Sequence, residues 1–211
     1  MKTPINSRTL HQHLAYSWWK YALVIVLGAV MVNLLYTVTA YRSPAGKKIE
    51  IYVYGYLNQE PMDEYMRTIQ ETRMPDMEEM QSIALTADET YGPMQLNTYV
   101  AAGEGDLYVL PRNSFVSMAS AGAWVALEND EELMALFSET GINLQSGWRR
   151  ESGTGESHLF GIPVSALPGL NAYLHVENGF ISVLATNGND ENVMQFLRIL
   201  CQDMVQAKAV D

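Results

Sequence analysis

Arg112 directly follows a predicted strand end at Leu110-Pro111 and opens a predicted helix. A fixed cation beside a helix amino terminus attracts an anionic group; a plain surface arginine is the competing reading. Tyr54, Tyr56 and Asn58 close the first predicted strand. Aromatic faces with a neighbouring amide can stack on and hydrogen-bond a small ligand, whereas the simpler reading makes Tyr54 sheet packing and the others a solvated turn. Three loops follow predicted strand ends, at residues 55–58, 87–90 and 111–113. They define a candidate ligand-binding set of Tyr56, Asn58, Asp88, Arg112 and Asn113.

Catalysis has little support. His11 and His13 precede the long apolar run described below, leaving His158 and His175 in the main domain. No GxSxG, HExxH or CxxC motif occurs. A hydrolase would need turnover that depends on His158 or His175. The single cysteine, Cys201, falls on the apolar face of a predicted helix, so it reads as a buried, inert thiol. Oxygen-bearing side chains from Asn187 to Asn192 faintly resemble a calcium loop, but the acidic ligand set is missing and helix capping by Asn189 or Asp190 explains them better. Gly103-Glu104-Gly105 lacks dinucleotide-loop spacing. The expectation is a non-enzyme with no cofactor and no metal.

These residues need elements to position them. Residues 49–54 alternate β-branched and aromatic types and stop at Gly55, as a strand does. Met62, Tyr65, Met66 and Ile69 have helical spacing behind Pro61. A strand over 81–86 follows, then a helix with Leu96, Tyr99, Val100 and Gly103 on one face. Residues 106–110 read as a buried strand, and Phe115, Met118, Ala119 and Gly122 as a helix face. A short extended piece over 124–127 and a helix over 130–138 come next. Residues 139–157 lack periodicity and read as a loop, followed by strands over 159–164 and 180–185. Val193, Phe196, Leu197, Leu200, Cys201 and Met204 form the clearest helical stripe. Strands alternating with helices predict an α/β fold: a doubly wound, mainly parallel sheet with helices on both faces. Ligands in such sheets bind beyond the carboxyl ends of the strands.

Residues 21–41 contain no charged side chain. About twenty helical residues cross the ~30 Å hydrocarbon core of a bilayer. Trp18, Trp19, Lys20 and Tyr21 flank one end, and Tyr36, Tyr41 and Arg42 the other, suited to headgroup depth. A cleaved signal peptide would have a shorter apolar run ending at a small-x-small site, whereas position 41 is tyrosine. The expected organisation is a cytoplasmic head (1–20), a transmembrane helix (21–41), a polar linker (42–48) and an extracytoplasmic domain (49–211). Three cations stand on each side of the span, so the free amino terminus alone tips the charge balance toward a cytoplasmic head. From residue 49 onward there are seven Lys or Arg against 24 Asp or Glu, a formal charge of −17. Such a domain repels nucleic acid and anionic headgroups.

The order of segments resembles a known family. Ala101-Ala102-Gly103-Glu104-Gly105-Asp106 followed by Leu107-Tyr108-Val109-Leu110 resembles a stretch common in bacterial extracytoplasmic solute-binding proteins of ABC importers. Ala121 to Glu128 resembles that family's next helix end and short surface strand. Phe160-Gly161-Ile162-Pro163-Val164 resembles the strand by which the chain passes to a second lobe, and residues 187–197 the loop and helix after the returning strand. The resemblance implies a periplasmic-binding-protein fold, a small-molecule ligand and a transporter or other membrane partner. It also implies two lobes, yet only fifteen residues separate Val164 from Phe180. The expectation is therefore a single, helix-anchored lobe that weakly binds a small solute or docks on a transporter. The alternative is an accessory subunit that has kept the fold without ligand binding.

Overall fold

A computed structural model describes residues 7–41, 43–88, 90–185 and 188–206. Arg42, Glu89, Asn187 and Lys208 lie outside the described residues, as does the first part of the expected head. The chain divides into two compact units, Met1–Arg42 and Ser43–Asp211.

The first unit is one helix, α1 (Ser7–Thr39), of 33 residues. Its stretch Ala15–Thr39 is apolar for 25 residues, enough to cross a membrane. The helix runs through Trp18-Trp19-Lys20 without interruption, so the residues ahead of the expected span continue it from Ser7. Thr37 and Thr39 donate their hydroxyls back to the carbonyls of Asn33 and Leu35.

The second unit is built on a five-stranded sheet. Its chain order runs β1 (Lys48–Val53), β2 (Tyr56–Leu57), α2 (Gln59–Thr72), β3 (Glu79–Ala84), α3 (Tyr91–Ala102), β4 (Leu107–Pro111) and α4 (Arg112–Ser120). Then come α5 (Glu131–Thr140), β5 (Trp148–Arg150), β6 (Ser157–Leu159), β7 (Ile162–Pro163), β8 (Leu174–His175), β9 (Gly179–Val183) and α6 (Asp190–Gln206). The sheet order is β3-β1-β4-β9-β7. β1 is parallel to both β3 and β4, whereas β9 is antiparallel to both β4 and β7. Four strands thus point one way and the sheet is mainly parallel.

Alternating side chains feed two cores. Ile49, Ile51, Val53, Leu107 and Val109 pack with Met62, Met66 and Ile69 of α2, Leu133 and Phe137 of α5, and Val193, Phe196 and Leu200 of α6. Tyr52, Tyr108 and Leu110 pack instead with Leu96 of α3 and Phe115 and Ala119 of α4. Cys201 is fully buried, as its place in the helical stripe predicts. Helix ends follow local chemistry. Asp130 accepts the Leu133 N–H at 2.8 Å to start α5. Gly103, at φ 68°, takes the left-handed position that ends α3.

Three expectations need correction. Residues 139–157 are not a plain loop; they hold β5, which pairs with β6 in a small antiparallel ribbon. The single strand expected over 159–164 is broken, with Leu159 ending β6 and Ile162 opening β7. At the break, a Cβ on Gly161 would stand 2.7 Å from the Phe115 ring, so the chain there lies flat against α4. The third concerns β9. It is reached from β7 without a crossover helix, so it returns antiparallel rather than continuing the parallel winding.

Candidate functional site

β4 ends at Pro111, opposite Gly179 of β9, and β7 ends at Pro163, opposite Phe180. Beyond these two carboxyl ends lies a cavity of about 460 Å³. Arg112 lines it from the first turn of α4, Arg149 from β5, Asn143, Gln145 and Ser146 from the segment before β5, and Ser165 from the turn after β7.

Local packing fixes Arg149. Gly147, just before β5, approaches the main chain so closely that an added Cβ would lie 1.8 Å from the Gly161 carbonyl oxygen. The Phe160 N–H donates to the Gly147 carbonyl at 3.2 Å, tying the two segments. Glu128 secures the partner strand, accepting from the Leu159 N–H at 2.9 Å and pairing with His158 Nδ1 at 2.6 Å. That hydrogen bond is the main reason the His158 imidazole is held above its ordinary range. The Arg149 guanidinium sits 5.5 Å from the Phe115 ring centroid, and Phe115 stacks on Phe180 at 4.4 Å. Its Nη1 donates to the Trp148 carbonyl. Its Nη2 is buried with no hydrogen-bond partner. Burial first, and then the neighbouring charge of Arg112, push the guanidinium below its usual range.

The charge pattern sets this cavity apart. Arg67 pairs with Glu64, Arg73 with Asp203, Arg198 with Asp130 and Glu132, Lys47 with Glu78 and Lys48 with Glu50. Among the described residues of the domain Arg112, Arg149 and the exposed Arg150 have no carboxylate partner, although acids far outnumber bases, and the first two share the cavity.

The five positions expected from sequence do not share this cavity. Arg112 lines it; Asn113 is exposed in the same helical turn. Asp88 has a local task, accepting the N–H groups of Tyr91 at 2.9 Å and Thr90 at 2.8 Å where α3 begins. Those bonds, Tyr91's first, hold its carboxyl below the usual range. The Asp88 carbonyl also accepts from the Tyr54 hydroxyl at 3.3 Å, joining the second expected loop to the end of the first predicted strand. Tyr56 lies in β2 opposite His175 and is 67% exposed. Asn58 donates its N–H to the Tyr173 carbonyl at 2.7 Å and precedes α2. Arg149, Asn143, Gln145, Ser146 and Ser165 escaped the sequence reading. The available signal was an Arg-Arg pair at 149–150 with only one acidic neighbour, Glu151, in a strongly acidic domain.

The amino edge of the sheet also gathers charge. Asp106 is 5% exposed; its carboxylate accepts the Glu50 N–H at 2.7 Å and the Asn189 amide at 3.4 Å. Glu50 pairs with Lys48 at 3.0 Å and accepts from Gln81 at 2.7 Å. Burial, despite these bonds, raises the Asp106 carboxyl to about 6. Asn189 also donates to the Lys48 carbonyl at 2.7 Å and accepts from Asn192 at 3.1 Å, which employs Asn189 and Asn192 of the calcium-like segment in holding α6 to β1.

No protein-family model and no curated protein matches the chain. Solved structures of extracellular solute-binding proteins do resemble part of it. A family 1 extracellular solute-binding protein from Alicyclobacillus acidocaldarius has a TM-score of 0.38 and 17% identity, over 55% of this chain and 27% of that one. A family 1 protein from Bifidobacterium longum subsp. infantis gives 0.39 and 18%, over 55% and 27%. A sugar transporter from Rhizobium etli in an open conformation gives 0.35 and 9%, over 55% and 28%. The matched part is thus little more than a quarter of each of those chains.

Proposed function

We propose that this chain is a membrane-anchored, single-lobe domain of the solute-binding kind, facing the extracytoplasmic side, which weakly binds a small solute beyond the carboxyl ends of β4 and β7. The observation that carries the reading is the cavity itself: a polar, open site at the sheet edge where α/β folds take ligands. The sequence motifs that resemble solute-binding proteins support it. The apolar stretch of α1 supports a membrane anchor, and the free amino terminus, which tips an otherwise even charge count, supports a cytoplasmic head. No catalytic step belongs to this reading; His158 serves to hold β6 through Glu128. A lobe of this kind works beside a transporter or another membrane protein.

The detergent-solubilised full chain, heated with sugars, amino acids, peptides, polyamines and anions, should melt higher with at least one compound, because a ligand that binds the native state raises its Tm. No shift with any of them would sink the solute reading. Protease treatment of intact cells should degrade residues 49–211; protection there would reverse the orientation.

One observation favours a second reading, an accessory subunit that offers a surface instead of a site. α3 carries no charged residue, and Tyr91 and Met94 on it are exposed at 67% and 64%. Under this reading a membrane protein co-purifies with the chain, and Met94→Lys abolishes the association without lowering Tm.

A further inference from the structure

The charge pattern of the cavity names a ligand class, and this step rests on the solute-binding reading above. Elsewhere among the described residues of the domain Lys47, Lys48, Arg67, Arg73 and Arg198 pair with carboxylates, and the exposed Arg150 faces solvent. At the cavity two arginines face each other's field without one. A guanidinium nitrogen buried without an acceptor forfeits the strongest interaction it can make. Cation packing on Phe115 keeps Arg149 in place but leaves Nη2 unanswered. An anion bound in the cavity would relieve the repulsion between the two arginines that line it.

We propose that the Arg112–Arg149 cavity binds the oxyanion group of a small solute, a carboxylate or a phosphate, with the two guanidinium groups as charged donors. The neutral lining takes the rest of the molecule. Asn143 spends its side-chain oxygen on the Gln145 N–H at 2.9 Å, which turns its NH2 outward as a donor. Gln145, Ser146 and Ser165 add exposed amide and hydroxyl groups that both donate and accept. The first-turn N–H groups of α4 reinforce the same sign of potential. At 460 Å³ the space suits a small organic acid or a sugar phosphate. Polyanions are disfavoured, because the −17 domain around the two arginines repels an extended negative chain.

The test uses the full chain in neutral detergent at constant ionic strength, with phosphate, glucose 6-phosphate, malate, citrate and uncharged glucose. Phosphates or carboxylates should raise Tm, the two groups of compounds separating the two oxyanions, and glucose should not. R112Q/R149Q should lose the response. R149K, which keeps the charge but not the forked geometry, should weaken Kd for the best anion by about tenfold. An anion response equal in wild type and R112Q/R149Q overturns the proposal. So does a glucose response without an anion response, although solute binding then stands. Silence toward every compound removes both. Should R112Q/R149Q fail to fold, R149K decides alone: an unchanged Kd overturns the site.

Discussion

The two ends of the central sheet treat charge in opposite ways. At the amino edge Lys48, Glu50, Gln81, Asp106 and Asn189 answer one another with hydrogen bonds and an ion pair. At the carboxyl edge Arg112 and Arg149 share a cavity without a carboxylate. A buried charge that is fully partnered holds strands in place, and removing one partner strands the others. A charge without a partner breaks no ion pair when it is removed. The contrast separates charge that ties strands together from charge left unpaired within one small domain.

The contrast can be broken most forcefully at Gly147. Gly147→Ala sets a Cβ against a main-chain oxygen that no rotamer change can move, so β5 must shift. We expect a loss of about 3 kcal/mol in thermal or denaturant unfolding, together with loss of any ligand response at Arg149. Asp106→Ala attacks the other edge. It leaves the Glu50 N–H and the Asn189 amide short of an acceptor, and about 2 kcal/mol should be lost with the carboxyl-edge cavity unaffected.

A smaller effect comes from pH. The Asp106 carboxyl is raised in the folded state to about 6 from its ordinary 3.8, so the folded protein binds its proton more tightly than the unfolded chain. Stability therefore rises as pH falls through 6, by about 1 kcal/mol between pH 7 and 5. His158, raised by its hydrogen bond to Glu128, works in the same direction: its contribution is complete below the unfolded pKa and is lost as pH rises through the folded one. Asp88, whose carboxyl is lowered, loses its contribution only in stronger acid, below the unfolded carboxylate range. Tm measured across pH 5 to 8 should follow this course, and Asp106→Asn should flatten it; an unchanged slope in that variant would remove Asp106 as its origin. The smallest effect should be at Arg149. Arg149→Gln should cost at most about 1 kcal/mol, since it gives up the Phe115 ring contact and the Trp148 hydrogen bond but breaks no ion pair. A loss comparable to that of Asp106→Ala would show that Arg149 is structural and erase the difference between the edges.

Much of the architecture was legible because its signals are local. Ile49 to Val53 alternate between two cores, and the stripe from Val193 to Met204 is buried as its spacing predicts. Gly103 and Pro111 stop elements where their backbone chemistry requires. The β5–β6 ribbon was illegible: three-residue strands rich in polar residues carry no period, and they exist because Gly147 and Glu128 tie them to distant chain. The direction of β9 was hidden too, since alternation looks the same in either orientation. Of the site, Arg112 was readable from its strand-to-helix position. Its companion Arg149 lies far along the chain in an aperiodic segment, and only folding brings the two to one cavity. Asp88 shows the opposite case: a polar residue in a candidate loop whose carboxylate accepts backbone N–H groups where α3 begins.

The antiparallel return of β9 has one more consequence. Pro163 and Phe180 stand side by side, so the chain leaves the sheet and re-enters it at the same point of the same edge. Between them it can travel any distance, and each doubling of that excursion costs only about 0.6 kcal/mol in closure entropy. Asn171 and Ala172 lie exposed within it, away from the buried Leu170 and Leu174 that the excursion contributes to the core. The five-stranded sheet is thus built with a doorway: a further domain can be threaded in at Asn171-Ala172 while its own strands keep their register.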